Sequence, residues 1–326
     1  GIGVPPDLGE ALAWNSRAAE QGHLEAQLSC ARICAHPSLD AQQGHGAAEA
    51  ANWYRMAAEG GHVESMHMLG CIYSDGVGVP PDLVAGVKWL RIAARRGHVR
   101  SNFCLGVLYE SGVGAEPDPE TAMHWYQRAA EAGHAEAQCR LGDAYRDGCG
   151  VEQDTSKAAI WWRKAAQTLP AAQLALGIHA WKRSGDATEK FTEAYKWLQQ
   201  AAQQRNPTAE YLCAILLEEG LGVRQNTQKA RDLYKRAADY GLAAAKFALA
   251  VMAHDDTAGP LQYTAEQVAW CRQAAEQEGF LRAYRDLGRM YFDGNGVERD
   301  FAEAAKWYGL AAEHGDMEAQ CALARM

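Results

Sequence analysis

Residues Glu110 to Gln138 read ESGVGAEPDPETAMHWYQRAAEAGHAEAQ. The Gly112-Val113-Gly114 pair has the look of a phosphate-binding loop, and Gly133-His134 that of a metal or catalytic histidine. Both readings turn on whether the stretch is unique. Tryptophan stands at 53, 89, 125, 161 and 197, each 36 residues after the last; Leu233 keeps the step, and Trp270 and Trp307 follow at steps of 37. Leu-Gly pairs lie about 20 residues earlier, at 69/70, 105/106, 141/142, 176/177 and 287/288. Ala-Ala pairs lie four residues after the aromatic position, from 57/58 to 311/312. Gly-x-Gly-Val itself recurs, starting at Gly1, Gly76, Gly148, Gly220 and Gly294, with Gly112-Val113-Gly114-Ala115 as a variant. A phosphate loop occurs once, between a strand and a helix; an element that returns with every unit is a connector.

Each unit therefore reads as helix A, a glycine loop, helix B and a glycine stop. In the unit at 62–97, helix A is expected from Val63 to about Ser74, with Ser65, Leu69, Ile72 and Tyr73 inward. Gly76 and Gly78 end it, Pro80 and Pro81 lead into helix B, and Gly97 stops that helix. Gly70 leaves room for a helix to cross closely. The tryptophans belong to helix B and are expected in the core. The histidine after each stop (His23, His62, His98, His134) marks the next unit, and no second histidine recurs beside it. A structural role is expected for it.

Composition narrows the function classes. The chain has 326 residues, 48% of them hydrophobic, and a net charge of −9, which removes any global footprint for nucleic acid or an anionic surface. No apolar run approaches the roughly 18–20 residues of a membrane span. Nine scattered cysteines (30, 34, 71, 104, 139, 149, 213, 271 and 321) without a Cys-x-x-Cys spacing read as small core residues in a reducing compartment. No disulfide framework and no metal site are expected from their spacing, and a cytoplasmic location is favoured over a secreted or periplasmic one.

The combination of Leu-Gly, Tyr, Gly-x-Gly-Val, Trp-Tyr, Ala-Ala and Gly resembles the Sel-1-like repeat family, relatives of the tetratricopeptide repeats with a longer glycine loop. The resemblance covers essentially the whole chain. It implies an all-α, right-handed α/α superhelix of about nine two-helix repeats, one continuous array over 1–326. The units fall at 23–61, 62–97, 98–133, 134–167, 168–204, 205–241, 242–279 and 280–315, with partial repeats at 1–22 and 316–326. Units 23–61, 168–204 and 242–279 depart in their connectors, and the first also has Cys30-Ala31 in place of Leu-Gly. The partial ends lead to the expectation that the array continues or packs on another part of a larger protein.

In the related architecture helix A lines a concave groove. Aligning on the Leu-Gly pair places Arg282, Arg285, Arg289 and Phe292 of one helix, and Arg325, at a basic end of it; Ile178, Trp181, Leu217, Phe247 and Val251 form an apolar middle. Three arginines at i, i+3 and i+7 repel one another and need counter-charge. Either Glu278, Asp286 or Asp293 supplies it, or the trio clamps an acidic segment or chain terminus of a partner.

The family resemblance implies a non-catalytic adaptor or scaffold that binds a peptide or protein, without a cofactor. Cysteine-rich bacterial relatives linked to penicillin binding or β-lactam hydrolysis supply an enzyme alternative. This chain has no Ser-x-x-Lys, no Gly-x-Ser-x-Gly and none of their regular cysteine pairs. A spacer or self-assembling array is the third reading.

Overall fold

In the computed structural model, described over residues 8–35, 46–113, 116–183, 186–255, 262–276 and 281–326, every regular element is a helix. Two compact units divide the chain, 1–168 and 169–326. The first holds α1 (Leu8–Glu20), α2 (Leu24–Cys34), α3 (Gly46–Glu59), α4 (Val63–Asp75), α5 (Leu83–Arg95), α6 (Val99–Ser111), α7 (Pro119–Glu131), α8 (Ala135–Asp147) and α9 (Thr155–Ala165). The second holds α10 (Pro170–Lys182), α11 (Ala187–Gln203), α12 (Pro207–Glu219), α13 (Thr227–Asp239), α14 (Ala243–Asp255), α15 (Ala265–Glu276), α16 (Leu281–Asp293), α17 (Phe301–Glu313) and α18 (Met317–Arg325). Within each unit every helix packs on its chain neighbours, as an α/α solenoid requires. Most of the connectors in units 23–61 and 242–279, and Gly114-Ala115 and Ser184-Gly185, lie outside the described residues.

The recurring residues set the corners. Helix A ends on a left-handed glycine, as at Gly76 (φ +70°), where a side chain would be strained. Three residues before that stop, a tyrosine carbonyl accepts the N–H of the residue that caps helix B. The bonds Asp82 to Tyr73, Asp118 to Tyr109, Asp154 to Tyr145 and Asp300 to Tyr291 span 2.8–3.0 Å. The same Asp then accepts a backbone N–H with its carboxylate, as Asp82 does from Ala85 at 2.9 Å. The histidines turn out to be N-caps of helix A: Nδ1 of His23, His62, His98 and His134 accepts the N–H three residues on, at 3.1–3.3 Å. Asn206 and Asp316 do the same work in their units.

The core corrects one expectation. The periodic tryptophans 53, 89, 125, 161 and 197 are half-buried, and the fully buried position is the next one: Leu90, Tyr126, Trp162 and Leu198 are 0–1% exposed. Helix B meets its own helix A through this later residue, directly over the Leu-Gly glycine. A Cβ on Gly106 would stand 2.5 Å from the Tyr126 ring. The periodic tryptophan lies to one side of that contact, against the rim of the apolar clusters. Trp307 is the exception, buried along with Tyr308. The Ala-Ala pairs are core as expected, with Ala57, Ala93, Ala129 and Ala165 all fully buried.

Candidate protein-interaction surfaces

The arginine helix of the second unit is α16. Arg282 Nη1 lies 3.3 Å from Glu218 Oε2 on α12, and its Nε 3.9 Å from Asp286. Tyr234 Oη donates to the same Glu218 oxygen at 2.7 Å. Arg285 reaches Asp316 and Glu318, each at 3.3 Å, and Asp286 at 3.9 Å; Arg289 reaches Asp293 at 3.7 Å. Five carboxylates thus face three guanidinium groups. Burial works against the Arg282 charge, but Asp286 and Glu218 more than offset it and hold the group above its ordinary pKa. Burial likewise raises Asp286, with the three arginines opposing. Asp286 and Asp293 serve as counter-charges, one of the two alternatives the sequence left open, whereas Glu278 lies outside the described residues. Arg282 and Arg285 are therefore committed inside the unit, whereas Arg289, 67% exposed beside Asp293, projects into solvent.

The other groove positions scatter. Phe247 and Leu217 are buried, at 5% and 4% exposure, and Phe247 packs 5.7 Å from the Tyr263 ring. Trp181 stands edge-on to Phe191 at 5.6 Å, and Ile178 and Val251 are half-buried. Phe292, 38% exposed, packs edge-on to Phe301, and Arg325 is exposed. The reason is visible in the first unit. The residue three before the Leu-Gly glycine points at the next helix A: Phe103 stacks on His134 at 4.6 Å and His67 lies 4.5 Å from His98. These positions form a seam between neighbouring units.

An open depression lies elsewhere, between α5 and α6. It encloses about 520 Å³, with Leu83, Val84, Val87, Ile92, Leu108 and Val113 as its apolar surface. Val84 is 83% and Val113 47% exposed. Lys88, Arg91 and Arg95 rim it, against one carboxylate, Glu116. Arg91 donates to Tyr109 Oη and is held 5.8 Å from that ring. Sequence reasoning concentrated on helix A and passed over this helix B. The signal was present: a unit later, Glu120, His124, Gln127 and Glu131 replace Val84, Lys88, Arg91 and Arg95.

The profile of the Sel1 repeat matches residues 1–23, 46–62, 63–98, 100–134, 135–167, 170–206, 207–241 and 281–316, well over half of the chain. The chain belongs to the Sel1 repeat family. Among solved structures, a protective antigen of uropathogenic Escherichia coli is similar with a TM-score of 0.70 and 30% identity, over 96% of this chain and 66% of the other. A Sel1 repeat protein from Oxalobacter formigenes gives a TM-score of 0.61 and 29% identity, over 96% and 89%. A stretch of 135 residues is 30% identical to chitin synthase regulatory factor 3 of Schizosaccharomyces pombe, covering 40% of this chain and 14% of that protein. An uncharacterized protein of Neisseria meningitidis serogroup B is 31% identical over 156 residues, 48% of this chain and 30% of its own length. The chain thus spans less than a third of these curated relatives.

Among the described residues of this Sel1 array, one group of three metal-ligand side chains converges: His67 and Cys71 on α4 and Cys104 on α6. A hydrogen bond from Cys71 lowers the Cys104 pKa despite burial, and that same bond, with burial, raises Cys71. Elsewhere burial dominates, as where it pushes Cys139 up to about 11.

Proposed function

We propose that this Sel1 array is a non-catalytic adaptor whose first unit docks an extended or helical segment of a partner protein in the α5–α6 depression. The observation that carries the reading is an apolar strip left uncovered on a chain of net charge −9, rimmed by three cations. A partner segment with apolar residues flanked by Asp or Glu complements it in shape and charge. An uncovered apolar patch rimmed by charged residues is the mark of a protein-interaction site. The name of the S. pombe relative, a regulatory factor, agrees with a role through binding rather than catalysis. Arg289, Phe292 and Arg325 stay in the proposal as an exposed contact surface of the second unit. Arg282 and Arg285 shape that face from behind. A cytoplasmic, reducing setting goes with this reading.

The test is site-specific photo-crosslinking in the source cell, with the crosslinker at Val84 and, as a control, at Met317, which is 78% exposed. A discrete heterologous adduct at 84 that vanishes on Lys88→Glu, Arg91→Glu, Arg95→Glu substitution supports docking. Self-adducts at 84 favour the self-assembling array, and no adduct at 84 overturns the proposed surface.

A further inference from the structure

The cluster at the seam between α4 and α6 has a composition that stacking does not call for. In the next units, Phe103 and Cys139 occupy the place of His67, Val107 and Asp143 that of Cys71, and Arg140 that of Cys104. The repeat stacks without these three residues, so their meeting at one seam is a local feature. His67 and Cys71 are four residues apart and share a helix face; Cys104 comes from the facing helix A. The three ligand atoms lie within 4.8 Å of one another, and His67 Nε2 is 3.8 Å from Cys71 Sγ. Around a tetrahedral ion with M–N near 2.0 Å and M–S near 2.3 Å, that N···S edge is about 3.5 Å. An ion fits between them with small side-chain adjustments.

The hydrogen bonds fix which nitrogen is available. His98 Nδ1 accepts the backbone N–H of Ser101 at 3.2 Å, so it carries no proton, and its Nε2–H donates to Glu64 Oε2 at 2.9 Å. The Ser101 hydroxyl, 2.9 Å from that Nδ1, must donate to it. Its oxygen is left to accept from His67 Nδ1–H at 3.1 Å. The relay Glu64–His98–Ser101–His67 therefore protonates His67 on Nδ1 and leaves its Nε2 bare, 3.8 Å from Cys71 Sγ. An oriented imidazole with its outer nitrogen engaged is the arrangement that metal-binding histidines use.

We propose that His67, Cys71 and Cys104 form a binding site for one soft d10 cation, Zn2+ or Cu+. Binding forms one M–N and two M–S bonds and displaces the two thiol protons to solvent, so affinity rises with pH. Zn2+ keeps a fourth position for water or an outside ligand; Cu+ is content with three.

The experiment uses the full chain, reduced and stripped with a chelator. Zn2+ is titrated against a chromophoric chelator, and Cu+ against a Cu+-specific one. One ion of either kind per chain is expected, with about two protons released, measured by calorimetry in buffers of differing ionisation enthalpy. Cys71→Val, which copies the next unit, and Cys104→Ser should each lose at least 100-fold in affinity at unchanged helicity. Ser101→Ala, which removes the hydroxyl between the two imidazoles and no ligand atom, should lose about 10-fold. The Cys149→Ser, Cys321→Ser variant, lacking the two exposed thiols, should bind as the parent does. Stoichiometric binding that survives in Cys71→Val and Cys104→Ser overturns the assignment. So does a reduced chain that binds neither ion, in which case a thiol hydrogen bond to His67 accounts for the cluster.

Discussion

Trp161 and Trp162 sit side by side in α9, and the 36-residue period runs through the first. The geometry assigns the larger energetic role to the second. Trp162 is 1% exposed and its ring lies over Gly142, with the Arg146 guanidinium 5.7 Å from its centroid. Trp161 is half-buried, with Lys164 Nζ 3.9 Å from its ring. Replacing a buried Trp by Ala removes its transfer free energy and leaves a cavity, about 3–5 kcal/mol. Here the cavity cannot collapse easily, because its floor is Gly142 backbone. A ring still partly in water forfeits less than that. Repeat arrays unfold unit by unit, so a single global midpoint is the wrong readout. Native-state hydrogen exchange at low urea on the amides of α8 and α9 measures the local term. Trp162→Ala should lower the opening free energy there by at least 1 kcal/mol more than Trp161→Ala. Equal losses, or a larger one for Trp161→Ala, would refute the assignment of the core to the position after the periodic tryptophan.

Two further outcomes follow from polar groups. His134→Ala removes the Nδ1 acceptor of the Ala137 N–H and should cost about 1 kcal/mol in the opening free energy of α8 read by hydrogen exchange, while His134→Asn, copying Asn206, should cost little. Burial holds the His134 ring below the ordinary histidine value of 6.5, with Glu136 opposing and Arg100 assisting. The unfolded chain takes up the proton first, so this contribution is complete above pH 6.5 and is lost as pH falls below it. The stability difference between parent and His134→Ala should shrink over that window, and a pH-independent difference contradicts the cap. Glu210, with no exposed side-chain area, pairs with Arg236 of α13. Arg236→Ala strands that carboxylate and should cost about 2 kcal/mol, below the 3–5 of a fully buried pair because Arg236 itself is 50% exposed. Adding Glu210→Gln should recover most of it in a double-mutant cycle read by hydrogen exchange on α12 and α13; no recovery means that the pair is not what Arg236 supports.

Helix positions, corners and the absence of a phosphate loop were legible because they depend on local chemistry repeated many times. Gly76 needs its left-handed φ and Asp82 its free N–H wherever they stand. What was not legible depends on partners outside the period. Adjacent helix residues differ by about 100° in direction, so spacing alone could not choose between Trp161 and Trp162. Arg282 finds Glu218 across 64 residues, a pairing no alignment on the Leu-Gly motif would suggest. The groove assignment failed at Phe247 and Leu217 for a related reason. Helix periodicity tells which residues share a face, and whether the face meets water or the next unit is decided by how closely successive A helices approach.

The seam is where the units of this chain differ, and that gives the metal proposal a consequence of its own. Caps, glycine corners and Ala-Ala pairs hold each unit together without the seam residues, which range from the Phe103–His134 stack to the Arg285–Asp316 ion pair and the His67–Cys71–Cys104 cluster. In a solenoid the stability of a seam is a nearest-neighbour term, so an ion bound at one seam stabilises the units on either side and fades with distance along the array. At a free concentration 100 times its Kd, the ion would contribute about 2.7 kcal/mol to the bound form. Hydrogen exchange with and without Zn2+ should therefore slow the amides of α4 and α6 by up to about 100-fold while leaving α16 and α17 unchanged. Uniform protection of both compact units would mean that the ion acts somewhere other than the seam, and protection that persists in Cys104→Ser would mean the same.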